Sequence, residues 1–217
     1  DVSAVALSHA HFDHTGGLEA LLPGNPNLTI YANTDIFVPK FSFKKGKYKP
    51  NGFEFSREDY EQRAEWRLSS DTQEIFPGLW TTGEIIGRDE PEGRSNSHYV
   101  LEIESYIRDP YRDDMSLVLK TDDGLVVICG CCHAGLLNTL AHVTAQFDNR
   151  IIAVLGGTHL MAAEGELLEH VMKVLASNYP DVKYYLNHCT GDSALKALKA
   201  RFGKRVSHFN AGESIVF

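Results

Sequence analysis

The sequence predicts an α/β fold that contains a partly parallel sheet. Its 217 residues are enough for one domain with a sizeable core. Val2–Leu7 is a continuous apolar run, which is typical of a strand buried on both faces. In the second half, three apolar strands alternate with helical patterns, an order that indicates βα units sharing a parallel sheet. The tight turn Asp122-Asp123-Gly124 predicts a hairpin that leads into these units.

The first half contains shorter elements with clear start and stop signals. A helix over 18–22 follows two glycines and is stopped by Pro23-Gly24. Ser56 followed by Asp59 resembles a helix N-terminal box and predicts a helix over Arg57–Arg67. The remaining predictions are strands at Leu28–Ala32, Glu74–Thr82 and Ser116–Lys120, and a mobile loop at Arg88–Ser97.

Each strand of the βα units is followed directly by a histidine. His133 follows Val126–Cys129, the end of an apolar strand predicted over Leu125–Cys129. His159 follows Ile151–Leu155, and His188 follows Val182–Leu186. Because the carboxyl ends of parallel strands open at one edge of a sheet, we expect these three loops on the same edge. The predicted elements that follow are helices over 136–146, 164–178 and 192–202, and closing strands over 205–208 and 214–217.

Composition and charge restrict the class of partner. Hydrophobic residues make up 43% and charged residues 23%, which is ordinary for a soluble globular protein, and no apolar run could cross a bilayer. The formal net charge of −8 disfavours nucleic acid. Bound divalent cations would offset part of that charge, so we expect a small-molecule substrate that could be anionic. The sequence leaves the oligomeric state open.

Cysteine usage indicates the compartment. Three of the four cysteines, Cys129, Cys131 and Cys132, lie in one tetrapeptide, and the fourth is Cys189. Such crowding does not suit a disulfide framework. We therefore expect reduced thiols and a cytoplasmic protein.

The residues with the clearest chemistry lie where the first strand ends. His9-x-His11-x-Asp13-His14 places four potential ligands within six residues, before two glycines that allow a sharp turn. Imidazoles and a carboxylate suit borderline divalent metals, so zinc is expected, with manganese or iron as alternatives and one or two ions bound. An ordinary exposed polar loop would not require these uncommon residues at this spacing. The sequence therefore predicts a metal site here.

The same motif resembles the metallo-β-lactamase superfamily, in which HxHxDH follows an apolar strand. The resemblance extends along the chain to the branch of dihydropteroate-synthase-like and ribofuranosyl-aminobenzene phosphate synthase-like proteins. The matching segments are TTGEI at 81–85, SLVLKTDDGLVVICGCCHAG at 116–135, GGTHL at 156–160 and NHCTG at 187–191. It implies a single domain over 1–217 with a four-layer αββα sandwich. The superfamily carries two or more strands before this motif, so we expect such a segment to precede residue 1.

The resemblance also implies further ligands, with two departures from the family pattern. An aspartate that bridges two metals is replaced here by Cys131 or a residue beside it, and the histidine that normally precedes the hairpin has no counterpart except His98, interpreted as a surface residue. His133 and His188 are expected to complete the ligand set. His159 is either a ligand or a substrate-facing acid, and Cys131 is a further candidate. The remaining histidines, His142, His170 and His208, are expected to be surface or hydrogen-bonded structural residues.

The leading functional hypothesis is hydrolysis of an ester, phosphoester or related bond by metal-activated water. Asp13 would hold a metal and orient the water, and His159 would protonate the leaving group. The first alternative is phosphoribosyl or other group transfer in a pterin pathway on the same metal site. Di-iron redox chemistry is disfavoured, because those relatives usually carry a carboxylate where this chain has His11. A non-catalytic metal-binding or sensing module is the last alternative.

Overall fold

The computed structural model describes residues 2–54 and 56–217. The strands, numbered along the chain, are β1 Ala4–Ala6, β2 Thr29–Ala32, β3 Lys40–Lys44, β4 Lys47–Pro50, β5 Glu65–Leu68, β6 Gln73–Phe76, β7 Leu79–Thr81, β8 His98–Glu102, β9 Ser105–Arg108, β10 Leu117–Lys120, β11 Leu125–Cys129, β12 Ile151–Gly156, β13 Lys183–Leu186 and β14 Val206–His208. The α-helices are α1 Phe12–Thr15, α2 Leu18–Leu21, α3 Arg57–Glu61, α4 Leu136–Gln146, α5 Gly165–Asn178 and α6 Asp192–Phe202. Short 3₁₀ turns lie at Leu22–Gly24, His188–Thr190 and Gly203–Arg205. None of the helices in these ranges is long and apolar enough to span a membrane.

The chain forms two compact units, and each is made of two segments. The first unit contains Asp1–Asp71 and Ser95–Asp114, and the second contains Thr72–Arg94 and Met115–Phe217. The HxHxDH loop belongs to the first unit, and the three histidine loops belong to the second.

The first unit contains two sheets. A parallel sheet has the order β1-β2-β5, and an antiparallel sheet has the order β4-β3-β8-β9. The apolar cluster beside the parallel sheet includes Leu7, Ala10, Leu18, Ile30 and Tyr60, all at most 4% exposed. Ala10 lies inside the HxHxDH motif, so the loop that carries the motif is anchored in this core.

The second unit is built on a sheet with the order β14-β13-β12-β11-β10-β7-β6. Strands β11, β12, β13 and β14 pair in parallel, as expected from the βα units. Leu136, Leu140, Val171, Leu175 and Leu198, on the three long helices, pack into one buried cluster with this sheet. The loops after β11, β12 and β13 therefore leave the same edge of the sheet, which confirms their predicted placement.

Several predicted elements were wrong in extent. The helix predicted over Arg57–Arg67 ends at Glu61, and residues 65–68 form β5 instead. The alternation of Glu65 and Arg67 outward with Trp66 and Leu68 half-buried has the period of a strand, and it outweighs the helical start signal. The capping box at Ser56 and Asp59 does exist, so the start of this helix was predicted correctly.

Two other segments differ from the prediction for local reasons. The single strand predicted over Glu74–Thr82 is the hairpin β6–β7, because Pro77-Gly78 turns the chain and Gly78 adopts φ +79°. The residues 214–217 form no strand, and β14 is the last strand of its sheet among the described residues. Strand β1 is only partly buried rather than covered on both faces.

Candidate metal centre

The HxHxDH loop brings its imidazoles into contact within the first unit. His9 Nε2 lies 3.0 Å from His11 Nδ1, and the ring centroids of His9 and His14 are 4.2 Å apart. Both His9 and His11 are buried, with 1% and 3% exposure. Asp13 is more exposed, and its Oδ2 lies 3.5 Å from His14 Nε2. The four residues predicted from the motif are therefore close together.

The Ser8 hydroxyl lies next to the Nδ1 atoms of two of these rings. Ser8 Oγ lies 3.0 Å from His9 Nδ1 and 3.4 Å from His14 Nδ1. The Nε2 atoms of the two rings face other residues of the motif, His11 for His9 and Asp13 for His14. In protein metal sites, a metal-bound histidine likewise pairs its other nitrogen with an oxygen.

A buried group of charged residues supports the loop backbone. The Ala10 N–H donates to Asp113 Oδ2 at 2.8 Å, and Lys40 Nζ lies 2.6 Å from Asp113 Oδ1 and 3.0 Å from Asp109 Oδ1. All three charged side chains are at most 3% exposed. Burial lowers the pKa of Lys40, but attraction to Asp113 and Asp109 outweighs this and raises it above its ordinary value. The ammonium therefore stays charged between the two carboxylates.

His98 is a residue of this neighbourhood that the sequence interpretation missed. Its ring centroid lies 4.5 Å from that of His11, in an edge-to-face arrangement. Its Nδ1 lies 3.0 Å from the Tyr111 hydroxyl, which also accepts the Ser95 N–H at 3.1 Å. The surface assignment of His98 was wrong, because the residue begins β8 rather than belonging to the preceding loop. Alternation in His98-Tyr99-Val100 was a usable signal for that strand.

In the second unit, His133 is held by Gly93, which lies 40 residues earlier in the sequence. His133 is 1% exposed, and its Nδ1–H donates to the Gly93 carbonyl at 3.2 Å. This bond assigns the proton to Nδ1, so Nε2 is the nitrogen that would coordinate a metal. Gly93 adopts φ +85°, and a Cβ there would lie 2.3 Å from the Cys132 carbonyl oxygen, so only glycine fits.

The three histidine loops share an uncommon backbone conformation. Cys132, His159 and His188 adopt φ values of 55°, 46° and 50°, respectively. Non-glycine residues rarely adopt such values, and when they do they cluster at functional sites because the surrounding structure must support the strain. Each loop after β11, β12 and β13 contains one such residue.

These loops place ligand atoms close together. The first group of potential ligand atoms, which lie within 4.8 Å of one another, comes from Cys131, His133 and His159. A second group at the same spacing comes from Cys131, His188 and Cys189. The ring centroids of His133 and His159 are 4.2 Å apart. Nitrogen and sulfur donors at such distances suit zinc and other borderline metals. The ligands predicted in this unit therefore converge, with Cys131 common to both groups.

Cys189 is a further member of this group that the sequence interpretation did not select. It is 7% exposed, and its sulfur accepts the His159 N–H at 3.2 Å. Hydrogen bonding to the Cys131 side chain outweighs burial and, with His159, lowers the pKa of Cys189 to about 5. Its position next to His188 was the available sequence signal.

Two of the three histidines not expected to be ligands have hydrogen-bond partners. His142 on α4 donates from Nε2 to the Thr82 carbonyl at 3.1 Å. His170 on α5 lies 2.6 Å from Glu90 Oε2. His208 ends β14 and is exposed.

The chain belongs to the metallo-beta-lactamase superfamily. Residues 1–95 match the model of that superfamily. Over 227 aligned residues, the chain is 30% identical to the 7,8-dihydropterin-6-methyl-4-(beta-D-ribofuranosyl)-aminobenzene-5'-phosphate synthase of Methanocaldococcus jannaschii. That alignment covers 100% of this chain and 76% of the relative.

Solved structures agree with this assignment. A metal-dependent hydrolase of the beta-lactamase superfamily superimposes with a TM-score of 0.77 and 25% identity, over 92% of this chain and 73% of that one. An isothiocyanate hydrolase from Delia radicum gut bacteria shares the fold, with a TM-score of 0.56 and 17% identity over 100% of this chain and 77% of that one. The α/β fold class predicted from the sequence is therefore confirmed.

Proposed function

We propose that this protein is a divalent-metal-dependent enzyme that hydrolyses an ester, phosphoester or related bond of a small molecule. The observation that carries the proposal is the contact among the HxHxDH imidazoles, with His9 Nε2 3.0 Å from His11 Nδ1 on a loop anchored in a core. Imidazoles packed this closely suit a shared cation. The metal-dependent hydrolase that is 25% identical supports the same reading.

Each unit has its own set of proposed ligands. They are His9, His11, Asp13 and His14 of the first unit, and His133, His159 and His188 of the second. The proposed ion is zinc, with manganese or iron as alternatives, and the number of ions is one or two. When bound, a divalent ion acts as a Lewis acid and lowers the pKa of a coordinated water to about 7.

The chain's own groups would supply the proton transfers. The Asp13 carboxylate, whose side chain is 57% exposed, would orient the attacking water and accept its proton. His159, which lies 4.2 Å from His133 between ring centroids, would donate a proton to the leaving group or serve as a ligand. None of the four cysteines forms a disulfide among the described residues, which suits the proposed cytoplasmic location.

Group transfer is a second candidate because of one specific observation. The Methanocaldococcus jannaschii relative, which aligns with the whole of this chain, is named as a synthase. A transfer reaction on the same ligand set would join a small-molecule donor to an acceptor other than water. The source of the oxygen atom in the product separates the two reactions, because hydrolysis in ¹⁸O-labelled water labels a product and transfer does not.

The proposal is tested by metal analysis combined with turnover of phosphoester, thioester, lactone and pterin substrates. We expect the purified protein to hold one or two divalent ions per chain, and His11→Ala to lose both metal and turnover. His208→Ala is the matched control, because it removes an exposed histidine and should change neither quantity. A wild-type protein that binds no divalent ion would contradict the proposal. A metal-loaded protein that is inactive on the whole panel would favour the non-catalytic binding module.

A further inference from the structure

We propose that Cys131 and Cys189 are thiolate ligands that, together with His188, hold a divalent ion in the second unit. This inference rests on the proposed function, because it names part of the ligand set of that metal-dependent enzyme. It goes beyond the histidine and aspartate ligands named above, and it predicts a sulfur-bearing coordination shell.

The geometry of the three donors suits one ion. A nitrogen of His188 and the two sulfur atoms lie within 4.8 Å of one another. In tetrahedral zinc sites, Zn–S bonds of about 2.3 Å and Zn–N bonds of about 2.0–2.1 Å place ligand atoms roughly 3.5–3.8 Å apart. A small contraction by side-chain rotation would therefore complete the arrangement.

The surroundings of these two cysteines differ from those of the other two. Cys129 and Cys132 belong to the buried apolar cluster of the second unit, where a small apolar side chain is sufficient. Cys131 and Cys189 are also buried, at 3% and 7% exposure, but they belong to neither apolar cluster of the described residues. Their neighbours are histidines, so packing alone does not account for them.

The backbone fixes the position of the Cys189 sulfur. The His159 N–H donates to this sulfur at 3.2 Å, and the sulfur in turn donates to the Cys131 carbonyl at 3.5 Å, so both neighbouring loops hold it. A Cβ on Gly157 would lie 2.5 Å from the Gly130 carbonyl oxygen and 2.7 Å from Cys189 Sγ. The loops after β11, β12 and β13 are therefore packed tightly enough to hold the Cys189 sulfur in place.

Sulfur ligation would change which metals the enzyme prefers. Thiolates are soft ligands that favour zinc and similar ions, whereas magnesium and manganese prefer oxygen ligands. The two cysteines would thus favour zinc over manganese, although an aspartate and histidines alone would bind either ion.

The test is spectroscopic and is made on the whole protein, kept reduced and loaded with Zn²⁺ or Co²⁺ alone. X-ray absorption of the zinc protein should show sulfur at about 2.3 Å from the metal. The Co²⁺ protein should show sulfur-to-metal charge-transfer absorption. Cys189→Ala and Cys131→Ala should each weaken this band and lower Zn²⁺ affinity more than tenfold, because even outer-shell partners are worth about 10–100-fold. Cys129→Ala is the matched control and should leave the spectrum unchanged.

The outcomes separate this inference from the proposed function. A wild-type zinc shell with only nitrogen and oxygen, in a protein that is active with metal, would overturn the inference and leave the proposed function standing. Cys189→Ala with an unchanged spectrum and affinity would also overturn it. Failure of the wild-type protein to bind any divalent ion would contradict both. The wild-type measurement decides the question even if a variant does not fold.

Discussion

The side chain of Asp113 holds the backbone of Ala10, the residue between His9 and His11, through a hydrogen bond of 2.8 Å from the Ala10 N–H to Asp113 Oδ2. Asp113 is 103 residues further along the chain, and its other oxygen pairs with buried Lys40 at 2.6 Å. Carboxylates that support a metal-binding loop act by fixing the direction of its ligands. The geometry of the HxHxDH loop thus depends on a charged pair outside the motif.

Replacing Asp113 by Ala should therefore weaken both folding and metal binding. The variant leaves Lys40 with Asp109 as its remaining carboxylate partner, so the loss of unfolding free energy should be at most the about 3–5 kcal/mol that breaking a buried ion pair costs. Loss of the support for Ala10 should lower metal affinity by about 10–100-fold. Denaturant unfolding and chelator competition measure the two effects. Asp113→Asn, which keeps an acceptor for Ala10, should recover part of the affinity, and Asp148→Ala, at an exposed position, should match the wild-type protein.

His159→Ala tests the proposed role of that histidine. If His159 is a proton donor, turnover should fall by on the order of 10²–10⁴-fold while metal content stays normal. If it is a ligand, metal and turnover should be lost together. Metal stoichiometry and turnover measured on this variant separate the two roles. Near-normal values for both would remove His159 from the proposed site.

The parts of the fold that were predicted correctly are those whose sequence signals are local. The strands β11, β12 and β13 are apolar runs followed by helical periodicity, and both signals are contained within single segments. The HxHxDH loop was also identified from one segment. Strand β5 was missed because a helix start precedes it by a few residues, and the short strand alternation of residues 65–68 gains its weight from the packing of Trp66 and Leu68 against the first unit's core.

The residues missed at the site depend on contacts between distant segments. His98 and Tyr111 are 13 residues apart, and both reach His11 through side-chain contacts between distant segments that no local pattern shows. Cys189 and Cys131 are 58 residues apart and meet only because β11, β12 and β13 lie side by side. Sequence patterns can propose the ligand types, but tertiary packing decides which of them converge.

Gly93→Ala should disturb the orientation of His133. An L-residue at φ +85° costs about 1–2 kcal/mol, and the added Cβ would also meet the Cys132 oxygen at 2.3 Å and the Gly135 nitrogen at 2.8 Å. Because the Gly93 carbonyl accepts the His133 Nδ1–H, we expect lower stability and weaker metal binding. The control is Gly212→Ala, at φ +88° with nothing within 4 Å of its Cβ, which isolates the conformational cost. Equal losses in the two variants would contradict the proposed steric effect.

Glu92 should make the stability of the protein depend on pH. Burial raises the pKa of Glu92 above its ordinary value of 4.5, even though its Oε1 accepts the Leu137 N–H at 2.7 Å. The folded state then binds the Glu92 proton more tightly than the unfolded state does. The free energy of unfolding contributed by this group is therefore fully present below pH 4.5 and falls as the pH rises through the raised pKa of the folded state.

Glu92→Gln keeps an acceptor for Leu137 and removes the ionisation, so this decrease should disappear and the variant should be relatively more stable at neutral pH. Denaturant unfolding across a pH series measures the slope, with Glu104→Gln as an exposed control. An identical pH dependence for the wild-type and Glu92→Gln proteins would show that Glu92 ionises with the same pKa in both states.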